Sequence, residues 1–189
     1  IPSQLLKNMF AIESQFWPGI NNNKEHGLGQ LTELGADTLL LWNPFFFSQF
    51  CPLVLNQQSC AIGYPLLSEE DKIILRGALA NSVSLECPSC PANIDLTHAE
   101  MSIDLFAQTL LANCQQVGQI IKNVSGSSPA EVTNFIDLWM FTIANYHSGA
   151  GCLTQALFST GSPYTWENVV AELEAECPGT RDYVEEITK

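Results

Sequence analysis

Two long segments that repeat apolar residues at helical spacing constrain the fold of this 189-residue chain more than any other feature. One follows Thr97 and the other follows Ser128. Residues three and four apart share one face of an α-helix, so each segment predicts a long amphipathic helix that buries one face. The apolar positions are Ile103, Phe106, Leu110, Cys114, Val117 and Ile121 in the first segment, and Val132, Phe135, Ile136, Trp139 and Ile143 in the second.

Capping signals indicate where helices begin. Thr97 and Ser128 each precede a glutamate by three residues. At this spacing the hydroxyl and the acid can satisfy the free N–H groups of a first helical turn. Ser68 and Asp71 repeat the spacing in a weaker form, and Pro129 occupies the favoured first helical position.

Two further helices are predicted near 166–176 and 181–188, and no segment shows the sustained alternation of a β-strand. The sequence therefore predicts an all-α, mainly helical fold. We expect a single domain over 1–189, with a loop-rich, cysteine-containing insertion around 43–97.

The charge balance limits the classes of partner. The chain has 7 basic and 20 acidic residues, a net charge of −13. Nucleic acids and anionic membranes are bound by clustered Lys and Arg, so we expect neither as a partner. No stretch approaches the roughly 20 apolar residues of a membrane span. The first residues do not resemble a signal peptide, but a mature form or an excised domain would look the same.

Seven cysteines are typical of an oxidising compartment. The close pairs are Cys51 with Cys60, Cys87 with Cys90, and Cys152 with Cys177, which leaves Cys114 in a helical pattern. The simplest interpretation is three local disulfides and one buried thiol, although the sequence does not fix the connectivity. For "CPSC" (87–90), half of a zinc site or a redox pair is the competing interpretation. Neither a second ligand pair nor a βαβ context accompanies it.

One carboxylate, Glu13, lies in an unusually apolar setting within "AIESQFWPG" (11–19). On a helix over 3–17, its neighbours three and four residues away are Met9, Phe10, Phe16 and Trp17. Pro18 disfavours helical geometry at the last of them. Such a setting removes water from a carboxylate and favours its protonated form, as a general acid requires. The competing interpretation is a structural glutamate that pairs with a backbone N–H or a lysine.

Three segments, in order, resemble the signature motifs of the soluble lytic transglycosylase family, within the lysozyme-like superfamily that includes goose-type lysozyme. They are "ESQF" (13–16), "HGLGQL" (26–31) and "ANYHSGAG" (144–151). In addition, "TRDYVEEI" (180–187) resembles the helix that commonly closes the domain. The resemblance implies a mainly helical, lysozyme-like domain with a glycan-binding cleft.

The resemblance also implies roles for single residues. Glu13 matches the catalytic acid and base of the family. The residues that match its substrate-binding positions are Ser14, Gly27, Leu28, Gln30, Tyr146 and His147. Gln30 can donate to and accept from an acetamido group, and Tyr146 matches a tyrosine that hydrogen-bonds near the catalytic glutamate.

Glycines complete two of the motifs. Gly27 and Gly29 carry no Cβ, so we expect them to let the backbone approach a sugar closely. We expect Gly149 and Gly151 to end the helix that carries Tyr146.

The implied activity is cleavage of the β-1,4 bond between N-acetylmuramic acid and N-acetylglucosamine in peptidoglycan, with formation of a 1,6-anhydro end. It needs no metal and no cofactor. The implied partner is the peptidoglycan glycan strand, and we expect a monomer that is exported to the extracellular space or the cell envelope.

The match to the family is imperfect, and it leaves a second mechanism and two silent roles open. His147 stands where the family has Asn. Glu25, Glu33 or Asp37 could position a water, which would give a lysozyme-type hydrolase, although solvated charge on loops and turns is the preferred interpretation of all three. A catalytically silent glycan-binding domain and a disulfide-stabilised interaction module are the two roles without chemistry.

Overall fold

The computed structural model describes residues 1–17 and 25–189, so Pro18 lies outside the described residues. Ten α-helices lie in these two ranges: α1 (Ser3–Glu13), α2 (Glu33–Trp42), α3 (Pro44–Val54), α4 (Gln57–Ala61), α5 (Glu69–Val83), α6 (Ala99–Ser125), α7 (Pro129–Val132), α8 (Phe135–Thr160), α9 (Trp166–Glu176) and α10 (Thr180–Thr188). Short 3₁₀ turns add Tyr64–Leu66, Pro91–Asn93 and Leu96–His98.

The described backbone contains almost no strand structure. Its β pairing consists of two isolated antiparallel bridges, His26 with Leu31 and Glu86 with Ile94. The all-α prediction is therefore confirmed. Among the helices of the described residues, none combines the length and apolar character that a membrane span needs.

The chain divides into two compact units, residues 1–112 and 113–189. Helix α6 supplies its first half to unit 1 and its second half to unit 2. The prediction of a single domain stays a prediction.

Unit 1 has its core among α2, α3, α5 and the first half of α6. Leu39, Leu75 and Leu79 are completely buried there, and Phe47 meets Tyr64 edge to face at 5.9 Å between ring centroids. Burial of such side chains contributes roughly 1.5–3 kcal/mol each, so this cluster is the main source of stability in unit 1.

The prediction of loops in 43–97 is wrong for most of that segment, because α3, α4 and α5 lie in it. Each of these helices restarts at a side-chain cap. Asn43, Asn56 and Ser68 accept hydrogen bonds from backbone N–H groups at 3.0, 2.9 and 3.1 Å, respectively. Periodicity does not reveal α4 because its 5 residues make little more than one turn. It does not reveal α3 because that helix is apolar on most sides and contains Pro52.

The other caps follow the predictions in part. Ser128 and Glu131 form the predicted capping box, with Ser128 N–H donating to the glutamate at 2.7 Å. The cap at Thr97 is wrong. Thr97 lies inside a 3₁₀ turn whose cap is Asp95, which accepts from the Thr97 N–H at 2.9 Å.

Unit 2 is built on α8, which packs against α9 and α10. The helix predicted to follow Ser128 is interrupted, because Thr133 is extended and Asn134 caps a new helix by accepting from two N–H groups of its first turn. This restart leaves Phe135 and Ile136 exposed, whereas the core prediction holds for Ile143, which is completely buried.

Three cysteine pairs lie at disulfide-bonding distance, as the sequence analysis predicts. The Cα–Cα distances are 5.8 Å for Cys51–Cys60, 5.3 Å for Cys87–Cys90 and 6.1 Å for Cys152–Cys177. Cys114 is a half-buried free thiol whose pKa is raised by loss of hydration. These pairs are compatible with an oxidising compartment.

Candidate active site

Glu13 is the last residue of α1, and its side chain is half-buried. The preceding turn supplies the predicted apolar surroundings, because Met9 is completely buried and Phe10 is 5% exposed. Ser14 follows as a buried C-cap, and its hydroxyl donates to the carbonyl of Phe10 at 3.1 Å. The Ser14 hydroxyl is therefore engaged with the helix end, which fixes the direction in which the chain leaves Glu13.

The prediction that the helix extends to Trp17 is wrong. After Ser14 the backbone takes two successive left-handed residues, Gln15 at φ 52° and Phe16 at φ 58°. For a residue with a Cβ this conformation costs about 1–2 kcal/mol. Phe16 and Trp17 are exposed and are not neighbours of Glu13 on a helix face. The apolar setting of Glu13 thus rests on Met9 and Phe10.

Gln30 is brought to Glu13 from 17 residues away. Its side-chain amide Nε2 donates a hydrogen bond to the backbone carbonyl of Glu13. Gln30 lies in a tight hairpin closed by hydrogen bonds between the backbones of His26 and Leu31, at 3.0 and 2.8 Å. The two motifs, "ESQF" and "HGLGQL", therefore meet. The sequence does not predict this hydrogen bond from Gln30 to the Glu13 backbone. Only the folded chain brings the hairpin to the end of α1.

The two glycines of the hairpin are required by contacts within the protein. A Cβ on Gly27, which has φ +70°, would lie 2.5 Å from Ser102 Oγ and 2.7 Å from the carbonyl of Val83. A Cβ on Gly29 would overlap the ring of Phe106. The close approach predicted toward a sugar is thus observed toward the chain's own helices α5 and α6.

Helix α6 supports both parts of the site. The Leu28 N–H donates to Ser102 Oγ at 2.9 Å, and Leu28 is 9% exposed. The ring of Phe106 lies 4.8 Å from that of Phe10 in α1. The sequence does not predict Ser102, which is buried, as a contact of the hairpin, and its only signal is a polar residue next to the apolar stripe of α6.

A cavity of about 440 Å³ lies beside the hairpin, with His26, Thr32, Glu33 and Arg76 among its lining residues. The Arg76 guanidinium is bound by Asp37 at 3.0 Å and by Glu69 at 2.7 Å. These ion pairs hold the pKa of Arg76 above its ordinary value.

The carboxylate of Asp37, a candidate for positioning a water, is therefore already paired with the Arg76 guanidinium. It also accepts a hydrogen bond from the Tyr64 hydroxyl, and burial together with this carboxylate raises the pKa of Tyr64. The interpretation of Asp37 as solvated charge on a loop is wrong, because Asp37 lies on α2 in an ion pair. Glu33 is exposed in the first turn of the same helix, and Glu25 is half-buried.

The third motif lies on α8 in unit 2. The imidazole of His147 stacks on the ring of Tyr183 with centroids 4.0 Å apart, and partial burial lowers the pKa of His147. The hydroxyls of Ser148 and Thr180 are hydrogen-bonded. The "ANYHSGAG" segment is therefore joined to "TRDYVEEI" on α10. The predicted placement of Tyr146 near Glu13 stays a prediction.

Two features of α8 extend or correct the sequence analysis. The prediction that Gly149 and Gly151 end the helix carrying Tyr146 is confirmed for Gly149, whose φ of 84° and ψ of 165° interrupt helical geometry. It is wrong for Gly151, because helical geometry resumes after Gly149 and continues to Thr160. One turn earlier, Asn145 is buried and donates to Asn113 at 2.7 Å and to Gln116 at 2.8 Å.

Within 1–17 and 25–189, no group of three or more His, Cys, Asp or Glu side chains could hold a metal ion. The described site thus consists of a half-buried carboxylate at a helix end, braced by a glutamine hairpin. No protein-family model, curated protein or solved structure matches this chain.

Proposed function

We propose that this chain is a peptidoglycan lytic transglycosylase in which Glu13 acts as both acid and base. The single observation that carries the proposal is the hydrogen bond from Gln30 to the carbonyl of Glu13. Two motifs that resemble one family, in the order of that family, meet at the backbone of Glu13, the residue assigned to the chemistry. The bond satisfies the Glu13 carbonyl, which lies at the end of α1, where the last carbonyls take their partners from outside the helix.

The proposed reaction is balanced without water. The Glu13 carboxyl gives its proton to the glycosidic oxygen as the bond from that oxygen to the anomeric carbon breaks. The resulting Glu13 carboxylate takes the proton of the muramyl 6-hydroxyl, whose oxygen forms the new bond to the same anomeric carbon. The products are a new 4-hydroxyl on N-acetylglucosamine and a 1,6-anhydromuramic end, and Glu13 is protonated again for the next cycle.

The surroundings of Glu13 suit this double role. Met9 and Phe10, one turn before Glu13 on α1, are buried and place apolar side chains on the same helix face as the carboxylate. The half-exposed remainder of the side chain leaves access for a glycan. In this proposal Gly27, Leu28 and Gln30 form the hairpin wall of a glycan cleft. The substrate-binding roles of Tyr146 and His147 stay predictions from the family resemblance.

Export to an oxidising compartment belongs to the same proposal. Peptidoglycan lies outside the cytoplasm, where cysteine pairs are kept oxidised. The three pairs at disulfide-bonding distance support this location.

A lysozyme-type hydrolase is the second candidate, and Glu33 is the observation that favours it. Glu33 is an exposed carboxylate on the 440 Å³ cavity, where it could position a water. Asp37 is a poorer candidate, because its carboxylate is bound to Arg76 at 3.0 Å.

Mass spectrometry of the products from purified peptidoglycan tests both candidates. We expect 1,6-anhydro muropeptides from the intact chain and from Glu33→Gln, and a loss of at least about 100-fold in rate for Glu13→Gln. Reducing-end products that disappear in Glu33→Gln would establish the hydrolase instead. A Glu13→Gln variant that cleaves at the intact rate would refute the role of Glu13 in either reaction.

A further inference from the structure

The turn after Glu13 presents two aromatic side chains to solvent. Phe16 is 53% exposed and Trp17 is 56% exposed. The other tryptophans, which all lie in the described residues, are more covered, with Trp139 and Trp166 each 8% exposed and Trp42 half-buried. Phe45, Phe135 and Phe158 are exposed as well, by 66–73%, so exposure alone does not mark a site. Phe16 and Trp17 differ from them because they follow the candidate catalytic carboxylate closely and lie next to each other.

The backbone holds this exposed pair in a defined place. The Trp17 N–H donates to the carbonyl of Ser14 at 2.8 Å, and the Phe16 N–H donates to the carbonyl of Phe10 at 3.3 Å. Two left-handed residues, Gln15 and Phe16, make this turn. These hydrogen bonds fold the turn back on the end of α1. They fix the backbone of Trp17, which follows shortly after Glu13 in the sequence.

We propose that Trp17 is a sugar-stacking residue that binds a pyranose ring next to the scissile bond. An indole face carries negative partial charge, and the C–H groups on one face of a β-1,4-linked pyranose carry positive partial charge, so the two faces attract when they pack. Phe16 extends the same apolar surface. This inference rests on the proposed function, because the ring it binds is part of the glycan that Glu13 cleaves.

Charge supports an uncharged occupant. The chain carries a net charge of −13, which disfavours anionic partners. The exposed side chains of the turn, Gln15, Phe16 and Trp17, carry no formal charge, so they form no ion pair with a partner. A neutral sugar ring fits such a surface, and the amide of Gln15 can donate to or accept from a sugar hydroxyl at its edge.

The test measures binding of a soluble, uncrosslinked peptidoglycan glycan fragment to the Glu13→Gln variant, which keeps the substrate uncut. Titration calorimetry compares this variant alone with the same variant carrying Trp17→Ala, Trp17→Phe or Phe45→Ala. Phe45 is 70% exposed on α3 and serves as the matched control for loss of an exposed aromatic side chain. We expect Trp17→Ala to weaken binding about tenfold, Trp17→Phe to weaken it less, and Phe45→Ala to leave it unchanged. Thermal unfolding monitors that each variant is folded.

Equal binding by Trp17→Ala and its parent overturns the inference, as does an equal loss in Phe45→Ala. Sedimentation provides a third check. If the chain is a dimer that Trp17→Ala dissociates, then a second copy covers the turn and the inference is wrong.

The inference and the proposed function fail separately. Cleavage by the intact chain with no effect of Trp17→Ala on binding refutes the stacking role and leaves the enzyme. Binding that depends on Trp17 without any cleavage by the intact chain supports the stacking role and refutes the enzyme. A chain that neither binds nor cleaves the glycan refutes both.

Discussion

The turn after Glu13 and the kink at Gly149 both leave helical geometry, but they are built differently. At the kink, a glycine takes φ 84° and the helix then resumes. At the turn, two residues that carry side chains, Gln15 and Phe16, take φ 52° and 58° and the helix ends. Glycine adopts positive φ without a steric penalty, whereas the turn holds strain that the rest of unit 1 must offset.

The difference teaches where the chain tolerates strain. The strained turn follows the candidate catalytic carboxylate and presents Trp17, while the relaxed kink follows Tyr146. Positive φ also occurs at Ala92 and Asn93, outside the candidate site, so strain alone does not mark function. At the turn it coincides with the candidate carboxylate, which makes a functional use of the strain a testable hypothesis. Substitutions at the turn, at the hairpin beside it and at the kink test this difference.

The largest effect on stability is expected from the hairpin that braces the turn. Gly29→Ala would drive a Cβ into the ring of Phe106, which already packs on Phe10. We expect a loss of about 3 kcal/mol in the free energy of unfolding, together with reduced cleavage. Chemical denaturation measures the first quantity. Gly118→Ala is the control, since its Cβ would make an ordinary contact at 3.6 Å with Pro129. Equal losses in the two variants would contradict the tight packing assigned to Gly29.

Gly149→Ala is expected to have the next largest effect. The added Cβ would meet no described atom within 4 Å, so the cost comes from the backbone conformation alone. A residue with a Cβ at this φ and ψ costs about 1–3 kcal/mol. Thermal unfolding at two protein concentrations measures the loss. Gly77→Ala, at an exposed position inside α5, is a matched control in which alanine favours the helix, and we expect it to raise stability instead.

Gln15→Gly tests the strain in the turn. We expect it to raise the free energy of unfolding, by less than Gly29→Ala and Gly149→Ala lower it. Glycine relieves the left-handed strain at φ 52° but adds freedom to the unfolded chain, so we expect a net gain of about 0.5 kcal/mol. If strain serves to hold Trp17 in place, glycan binding by the same variant should weaken while stability rises. A variant that is less stable than the parent would show that Gln15 is not strained.

The smallest effect is a pH dependence in unit 2. Partial burial lowers the pKa of His147 in the folded protein, so the folded state binds its proton less readily than the unfolded chain does. The stability that neutral His147 contributes is therefore present above the unfolded pKa of about 6.5 and is lost as the pH falls through the lower folded pKa.

Comparison of the intact chain with His147→Asn measures this contribution. Between pH 7 and pH 5, the melting temperature of the intact chain should fall more than that of the variant. The difference between the two chains removes the contributions of His26 and His98, which both chains share. A larger fall in the variant would contradict the assigned direction.

The local features of this protein could be predicted from its sequence. The helical fold, the capping box at Ser128 and Glu131, and the helices at 166–176 and near 181–188 follow from patterns within a few residues of each other. The cysteine pairs are also close in sequence, the widest being 25 residues apart. These features depend on short-range hydrogen bonds and spacing, which a sequence displays directly.

Contacts between distant segments could not be predicted from the sequence, because they form only when the helices pack. The helix at Glu13 ends early, the amide of Gln30 reaches the Glu13 backbone, and Gly29 packs on Phe106. Asp37, which resembled a free surface charge, is held by Arg76 from 39 residues away. Such contacts depend on packing between helices, because the same carboxylate is free or engaged according to which side chain the fold places beside it.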